Sequence, residues 1–368
     1  MKTRTYFNSL LSSLLAVGFS LAAGLARGQT PVISSSSQDG QLVCTNLQPG
    51  STASVEWASS AEGAWTNNWA GLETVTVGSN GMIRVSVPMF YRVRGTPPPP
   101  PGMALIPAGV FAMGDTAKAV YVSAIYMDRT EVTKALWDEV RLWANTNGYD
   151  LGTVGAGKAP SHPVQMVNWF DVVKWCNARS QKEGRTPAYY KDAALTQIYK
   201  TGQTAPKVNW NAGYRLPTEA EWEKAARGGT SGHAFPWSNV ETITHSQANY
   251  SSSTSYAYDV SPTRGYHRTF AVGGEPYTSP VGYFAANGYG LYDMAGNVRE
   301  WCWDWYGSYP SGAQTDPRGP ASGSDRLRRG GAWHRDASLC RVAYRDYYAP
   351  SDRIFCVGFR SVLPPGQP

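Results

Sequence analysis

Charge is scarce in this chain of 368 residues: only 16% are Asp, Glu, Lys or Arg, against about a quarter in an ordinary soluble domain. The formal net charge is +6. Three of the cations, Lys2, Arg4 and Arg27, lie in the first 28 residues, which hold no acid, so removing that segment leaves +3. That balance excludes a nucleic-acid binder acting through bulk electrostatics. The sequence has no glycine-rich phosphate loop, no His-Glu-x-x-His and no Cys-x-x-Cys, which excludes the commonest nucleotide, zinc-protease and dithiol chemistries. Its five histidines (His162, His233, His245, His267, His334) are scattered. Sustained helical periodicity is missing too, excluding a bundle or coiled coil. What is abundant is Trp (14), Tyr (22), Gly (38) and Pro (25). That composition describes a loop-rich chain packed by aromatic rings.

Only one apolar run is long, Leu10 to Leu25. It follows Lys2 and Arg4 and ends in small residues before Arg27, the pattern of a secretory signal over residues 1–28. The expectation is therefore an exported protein, secreted or otherwise extracytoplasmic, with no membrane span once the signal is cleaved. Its five cysteines (Cys44, Cys176, Cys302, Cys340, Cys356) would then mature under oxidising conditions, where pairing is expected and an odd count leaves one over. Residues 29–96 carry short alternating runs, around Val43, Ser54 to Trp57 and Ile83 to Val87, and read as a small β-sandwich-like module. Trp57, Trp65 and Trp69 are assigned to its core. Pro97 to Pro101 forms a stiff spacer within a linker at 97–102. A second domain spans 103–366.

Three helices are legible there. Thr133 caps one with apolar positions Leu136, Val140 and Trp143. Asn168 or Asp171 caps a second carrying Val172, Val173, Trp175 and Cys176. Thr218 and Glu221 form the capping box of a third, which Gly228 and Gly229 terminate. Some 130 residues then follow without helical period, a length that stays ordered only with buried aromatics, disulfides or bound metal. The tryptophans at 301, 303 and 305, with Tyr306, have strand spacing and are assigned to the core.

Several runs in this domain resemble the formylglycine-generating enzyme (sulfatase-modifying factor) family in family order. They are Met103 to Gly114, Asp128 to Thr133, His162 to Val164, Tyr214 to Arg227, Asn287 to Trp301, Arg329 to Gly331 and Gly358 to Arg360. The resemblance implies an α+β, irregular, loop-rich fold related to C-type lectins, preceded here by the small all-β domain. It also implies an oxidoreductase that converts a sulfatase Cys to formylglycine with O2 and copper held by two thiolates. The second of those thiolates matches Cys340. The first falls on Arg335, a permanent cation that cannot bind metal. The family's neighbouring Ser and His fall on Ala332 and Asp336, and His334 is one position out of register. Copper is therefore not expected to bind in the family's manner.

The resemblance implies calcium at Asp293 and Glu300 through side chains and at Gly296 and Val298 through carbonyls. These are hard oxygens around a glycine turn, as Ca2+ requires. A second calcium site would begin at Asn249 and the carbonyl of Tyr250. Its acid falls near Gly273 and Gly274, with Asp259 as a substitute. In this fold Cys302 is the expected disulfide partner of Cys340, with Cys356 as the rival. Three functions compete: the family's oxidase acting on a sulfatase, a calcium-stabilised non-catalytic or divergent module that binds an extracytoplasmic peptide or glycan, and an oxidase rebuilt around Cys340 and His334.

Overall fold

The computed structural model describes residues 32–36, 41–47, 49–57, 75–86, 91–96, 98–237 and 239–366. The expected signal segment and Trp65 and Trp69 lie outside them. The chain divides into two compact units between Pro98 and Pro99. In the first, alternating residues form six strands: β1 (Val32–Ser36), β2 (Gln41–Thr45), β3 (Thr52–Trp57), β4 (Val75–Thr76), β5 (Ile83–Ser86) and β6 (Tyr91–Thr96). They make two antiparallel sheets, ordered β1-β2-β5 and β4-β3-β6. Cys44, Leu47, Ala53, Val77 and Ile83 bury a small apolar cluster.

The second unit opens with β7 (Met103–Ile106), β8 (Gly109–Met113), β9 (Lys118–Val122) and β10 (Ile125–Asp128). Helix α1 (Lys134–Thr146) starts where Thr133 Oγ1 accepts from the Leu136 amide at 3.1 Å. Its buried seam is Trp137, Val140 and Ala144, with Leu136 and Trp143 half-buried at its flanks. The seam is thus turned by one position from the expected one. Helix α2 (Trp169–Lys182) is capped by Asn168, and Asp171 completes the capping box rather than starting the helix. Trp137 of α1 stacks on Trp175 of α2, ring centroids 5.8 Å apart. Strands β11 (Tyr189–Tyr190) and β12 (Lys207–Val208) pair, and α3 (Glu219–Ala226) follows with the expected capping box.

Between Ala226 and Arg299 the described residues form no helix or longer strand. Side-chain hydrogen bonds order this stretch: Asp259 alone accepts from Tyr250, Ser252, Ser253, Ser261 and Arg264. Then come β13 (Arg299–Trp305), β14 (Gln314–Thr315), β15 (Arg326–Arg329), β16 (Asp346–Tyr348), β17 (Val357–Gly358) and β18 (Val362–Leu363). The main sheet is ordered β16-β15-β13-β17 and two smaller ones β18-β10-β7 and β14-β9-β8. Trp301 on β13 is buried while Trp303 and Trp305 are half-buried. The Arg326 guanidinium lies 3.8 Å from the Trp169 ring centre and 3.4 Å from that of Trp305, a cation–π sandwich. No helix among the described residues is long and apolar enough to cross a membrane.

Candidate functional site

Cys340 ends a 3-10 turn, Ala337–Cys340, that begins because Asp336 Oδ1 accepts from the Ser338 amide at 2.9 Å. The thiol is buried with Phe235, Tyr250, Ala295 and Ala337, and burial pushes it up to about 12. Gly331 (φ +79°) makes the close approach possible: a Cβ there would stand 2.7 Å from Cys340 Sγ. Arg335 points to solvent, with its carbonyl accepting from the Ser251 amide. Of the three residues that stand where the resemblance places site chemistry, Asp336 caps the turn, Ala332 is buried and the Arg335 side chain is exposed.

All five cysteines are free and buried, so the expected Cys302–Cys340 disulfide is corrected, as is its Cys356 rival. The reason is facing. Cys302 lies on β13 among Trp222, Leu327 and Val342, a cluster separate from that of Cys340. Each thiol turns to a local carbonyl instead, Cys302 to Glu300 at 4.0 Å and Cys340 to Asp336 at 3.8 Å. His334 is not paired with Cys340. Its ring packs on Trp333 and Phe355, and burial with Arg335, Arg299 and Arg328 pushes it down to about 4.

The Asp293 to Glu300 loop meets a buried charge centre. Glu300 Oε1 and Oε2 each accept from Arg360 at 2.7 Å, and Oε2 also accepts from Trp222 Nε1 at 2.7 Å. Asp293 Oδ2 accepts from the Gly282 amide at 2.6 Å, while Oδ1 is buried without a hydrogen-bond partner among the described residues. A third acid, Glu131, accepts from Asn297 Nδ2 at 2.6 Å and the Val298 amide at 3.0 Å. Burial, then Asp293 and Glu300, push Glu131 well above the ordinary carboxylate range. Burial likewise raises Asp293 to about 6. Three carboxyls therefore share one guanidinium. Glu131 was missed as a site residue; its only signal was an acid before an apolar residue, Val132, in the Asp128 to Thr133 run.

Asn249 is brought alongside by a bridge to Gly296, whose absent side chain is required because a Cβ would lie 2.2 Å from the Asn249 carbonyl. Asn249 Oδ1 is also buried and unpartnered. The rest of the expected second calcium set is already engaged. The Tyr250 carbonyl accepts from His245 Nε2 at 3.0 Å, Asp259 is saturated as described above, and Gly273 and Gly274 are exposed.

This irregular α+β domain, with its double-glycine turn and one buried thiol, Cys340, beside that turn, has recognisable relatives. The profile described as "Sulfatase-modifying factor enzyme 1-like domain" matches residues 92–364. The chain is similar to the formylglycine-generating enzyme of Bos taurus, 32% identical over 72% of this chain and 75% of that protein. It is also similar to the chaperone protein LppX of Paenibacillus barcinonensis, 31% identical over 66% of this chain and 82% of that protein. Among solved structures, Treponema denticola variable protein 1 superposes with a TM-score of 0.55 at 31% identity, over 72% of this chain and 95% of that one. The chain belongs to the sulfatase-modifying factor enzyme 1-like domain family.

Proposed function

We propose that this protein is an exported, non-catalytic or divergent member of its family, a calcium-stabilised module that binds a peptide or glycan outside the cytoplasm. The observation that carries the reading is the lone thiol: Cys340 is buried and protonated, with exposed Arg335 where a second thiolate is required. One soft ligand does not make a bis-thiolate copper site. Titrating the reduced protein with Cu(I) under a competing chelator is expected to show no bound equivalent. One tightly held equivalent that disappears in Cys340→Ser would return the oxidase, which the identity to formylglycine-generating enzymes favours, to first place.

Calcium is supported by the orphaned Asp293 Oδ1 and by three carboxyls facing one guanidinium. A divalent ion taking Asp293, the Gly296 and Val298 carbonyls and a share of Glu300 would relieve both. Its role is structural, fixing the loop that leads into β13. At a hundredfold excess over its dissociation constant the ion stabilises the fold by about 3 kcal/mol. EDTA is expected to lower the melting temperature, and Asp293→Ala to abolish the EDTA response. Melting that ignores EDTA, with no calcium co-purifying, would refute the site.

The two domains are proposed to be independent, with the spacer between them. Fragments 29–96 and 102–368 should each give a cooperative melt. A 102–368 fragment that stays soluble only with the N-terminal module present would mean a shared core.

A further inference from the structure

Beside the double-glycine turn the main sheet carries cations in excess of acids. Arg299, on β13, pairs with Asp346 Oδ2 at 2.6 Å, and Arg328, on β15, meets the same oxygen at 3.1 Å. Both arginines are at least nine-tenths buried, 2% and 4% exposed. Arg335 lies close enough to act electrostatically on His334, Tyr344 and Cys356, as Arg299 and Arg328 also do. Asp346 is the one carboxylate among the described residues ion-paired with Arg299 and Arg328, and no carboxylate there is ion-paired with Arg335. Arg328 Nε and NH1 are buried without any hydrogen-bond partner. So are Trp333 Nε1 and His334 Nδ1. Buried donors left empty are costly, most of all on a guanidinium, and a cationic surplus selects an anion.

The wall of this region is aromatic. Trp333 packs with Tyr266 and Tyr277 at 5.4 and 5.3 Å and with His334 and Phe355 at 5.0 and 5.9 Å. Tyr266 and Phe355 are 40% and 44% exposed.

We propose that Arg328, Arg299 and Arg335 form an oxyanion-binding site for an acidic saccharide, a uronate or a sulfate ester, whose ring lies on the exposed Phe355 and Tyr266 rings that buried Trp333 backs. The choice rests on charge complementarity together with ring faces and spare N–H groups, a combination suited to a hydroxylated ring with one anionic substituent. It deepens the binding reading above and rests on it. Copper stoichiometry reports on that reading, and saccharide binding reports on this site, so the two can fail separately.

The test uses the full chain at constant ionic strength, with tryptophan fluorescence and calorimetry as readouts. D-glucuronate, glucose 6-sulfate, uncharged glucose and N-acetyl-aspartate amide are titrated. Saturable binding of one or both acidic sugars is expected, glucuronate alone identifying a carboxylate ligand and glucose 6-sulfate alone a sulfate ester. Arg328→Gln should abolish it. Arg335→Ser, at an exposed position where folding is not at stake, should weaken it about tenfold or more. Equal binding of glucose would overturn the oxyanion site. Equal or tighter binding of the aspartate amide would overturn the saccharide and leave an acidic peptide as the occupant. Binding of no probe, or binding untouched by either variant, would overturn the proposal altogether.

Discussion

Arg360→Met is expected to lower the unfolding free energy by about 3–5 kcal/mol, the range for removing one partner of a buried ion pair. Arg360 is fully buried, and every face of its guanidinium is used. Two bonds reach Glu300, NH1 donates to the carbonyls of Asp128 and Arg129 at 3.2 Å, and NH2 donates to that of Tyr292 at 2.9 Å. Methionine fills much of the volume but leaves Glu300, Asp293 and Glu131 without their common counter-charge. Arg360→Lys should recover little, because an ammonium cannot reproduce the planar fork. The double variant Arg360→Met with Glu300→Gln should be less destabilised than the sum of the singles, since removing both charges relieves the uncompensated one. Urea unfolding in EDTA measures all four proteins. A loss below about 1 kcal/mol for Arg360→Met is the value of an exposed pair and would contradict the buried centre.

That centre was only half legible in the sequence. Asp293 and Glu300 could be picked out because they flank a glycine turn within one short run, and the capped helices could be read because a cap and its partner lie three residues apart. Glu131 reaches the same loop from 166 residues away and Arg360 reaches Glu300 from 60 away. No local period announces such partners; only the fold juxtaposes them. The cysteines failed for a related reason. Sharing a core does not decide which way a side chain faces, and a strand thiol at 302 and a 3-10 thiol at 340 face different clusters. Asp336 was partly readable, since an Asp before Ala-Ser-Leu suits a helical cap. Its neighbour Arg335 carried the more informative signal, a fixed charge where soft chemistry is required. The aromatic excess pointed correctly to rings as the packing material in the irregular stretch. It did not reveal that Trp333, Phe355 and Tyr266 would gather beside three arginines, because these residues come from three separate loops.

Given Cu(I), O2 and a Cys-x-Pro-x-Arg peptide, the reduced protein is expected to form formylglycine only at background, by mass spectrometry. Three independent obstacles act on the same spot. The first is the missing ligand, since Arg335 supplies no lone pair. The second is protonation. Burial holds the Cys340 thiol near 12, and a thiol must lose its proton before it can bind a metal. The third is charge, because Arg299 and Arg328 are held nearby by a single carboxylate and oppose a further cation. Arg335→Cys removes the first obstacle and lightens the third. It should therefore gain measurable copper affinity yet remain poorly active, because Ala332 and Asp336 still replace polar neighbours of the kind that tune a metal site by about 10–100-fold each. Adding Ala332→Ser and Asp336→His to Arg335→Cys should raise turnover further, provided the turn survives loss of the Asp336 cap. Cys340→Ser in the unmutated background should change neither activity nor peptide product. Turnover by the unmutated protein that is lost in Cys340→Ser would show that one thiolate suffices, and the binding reading would fall.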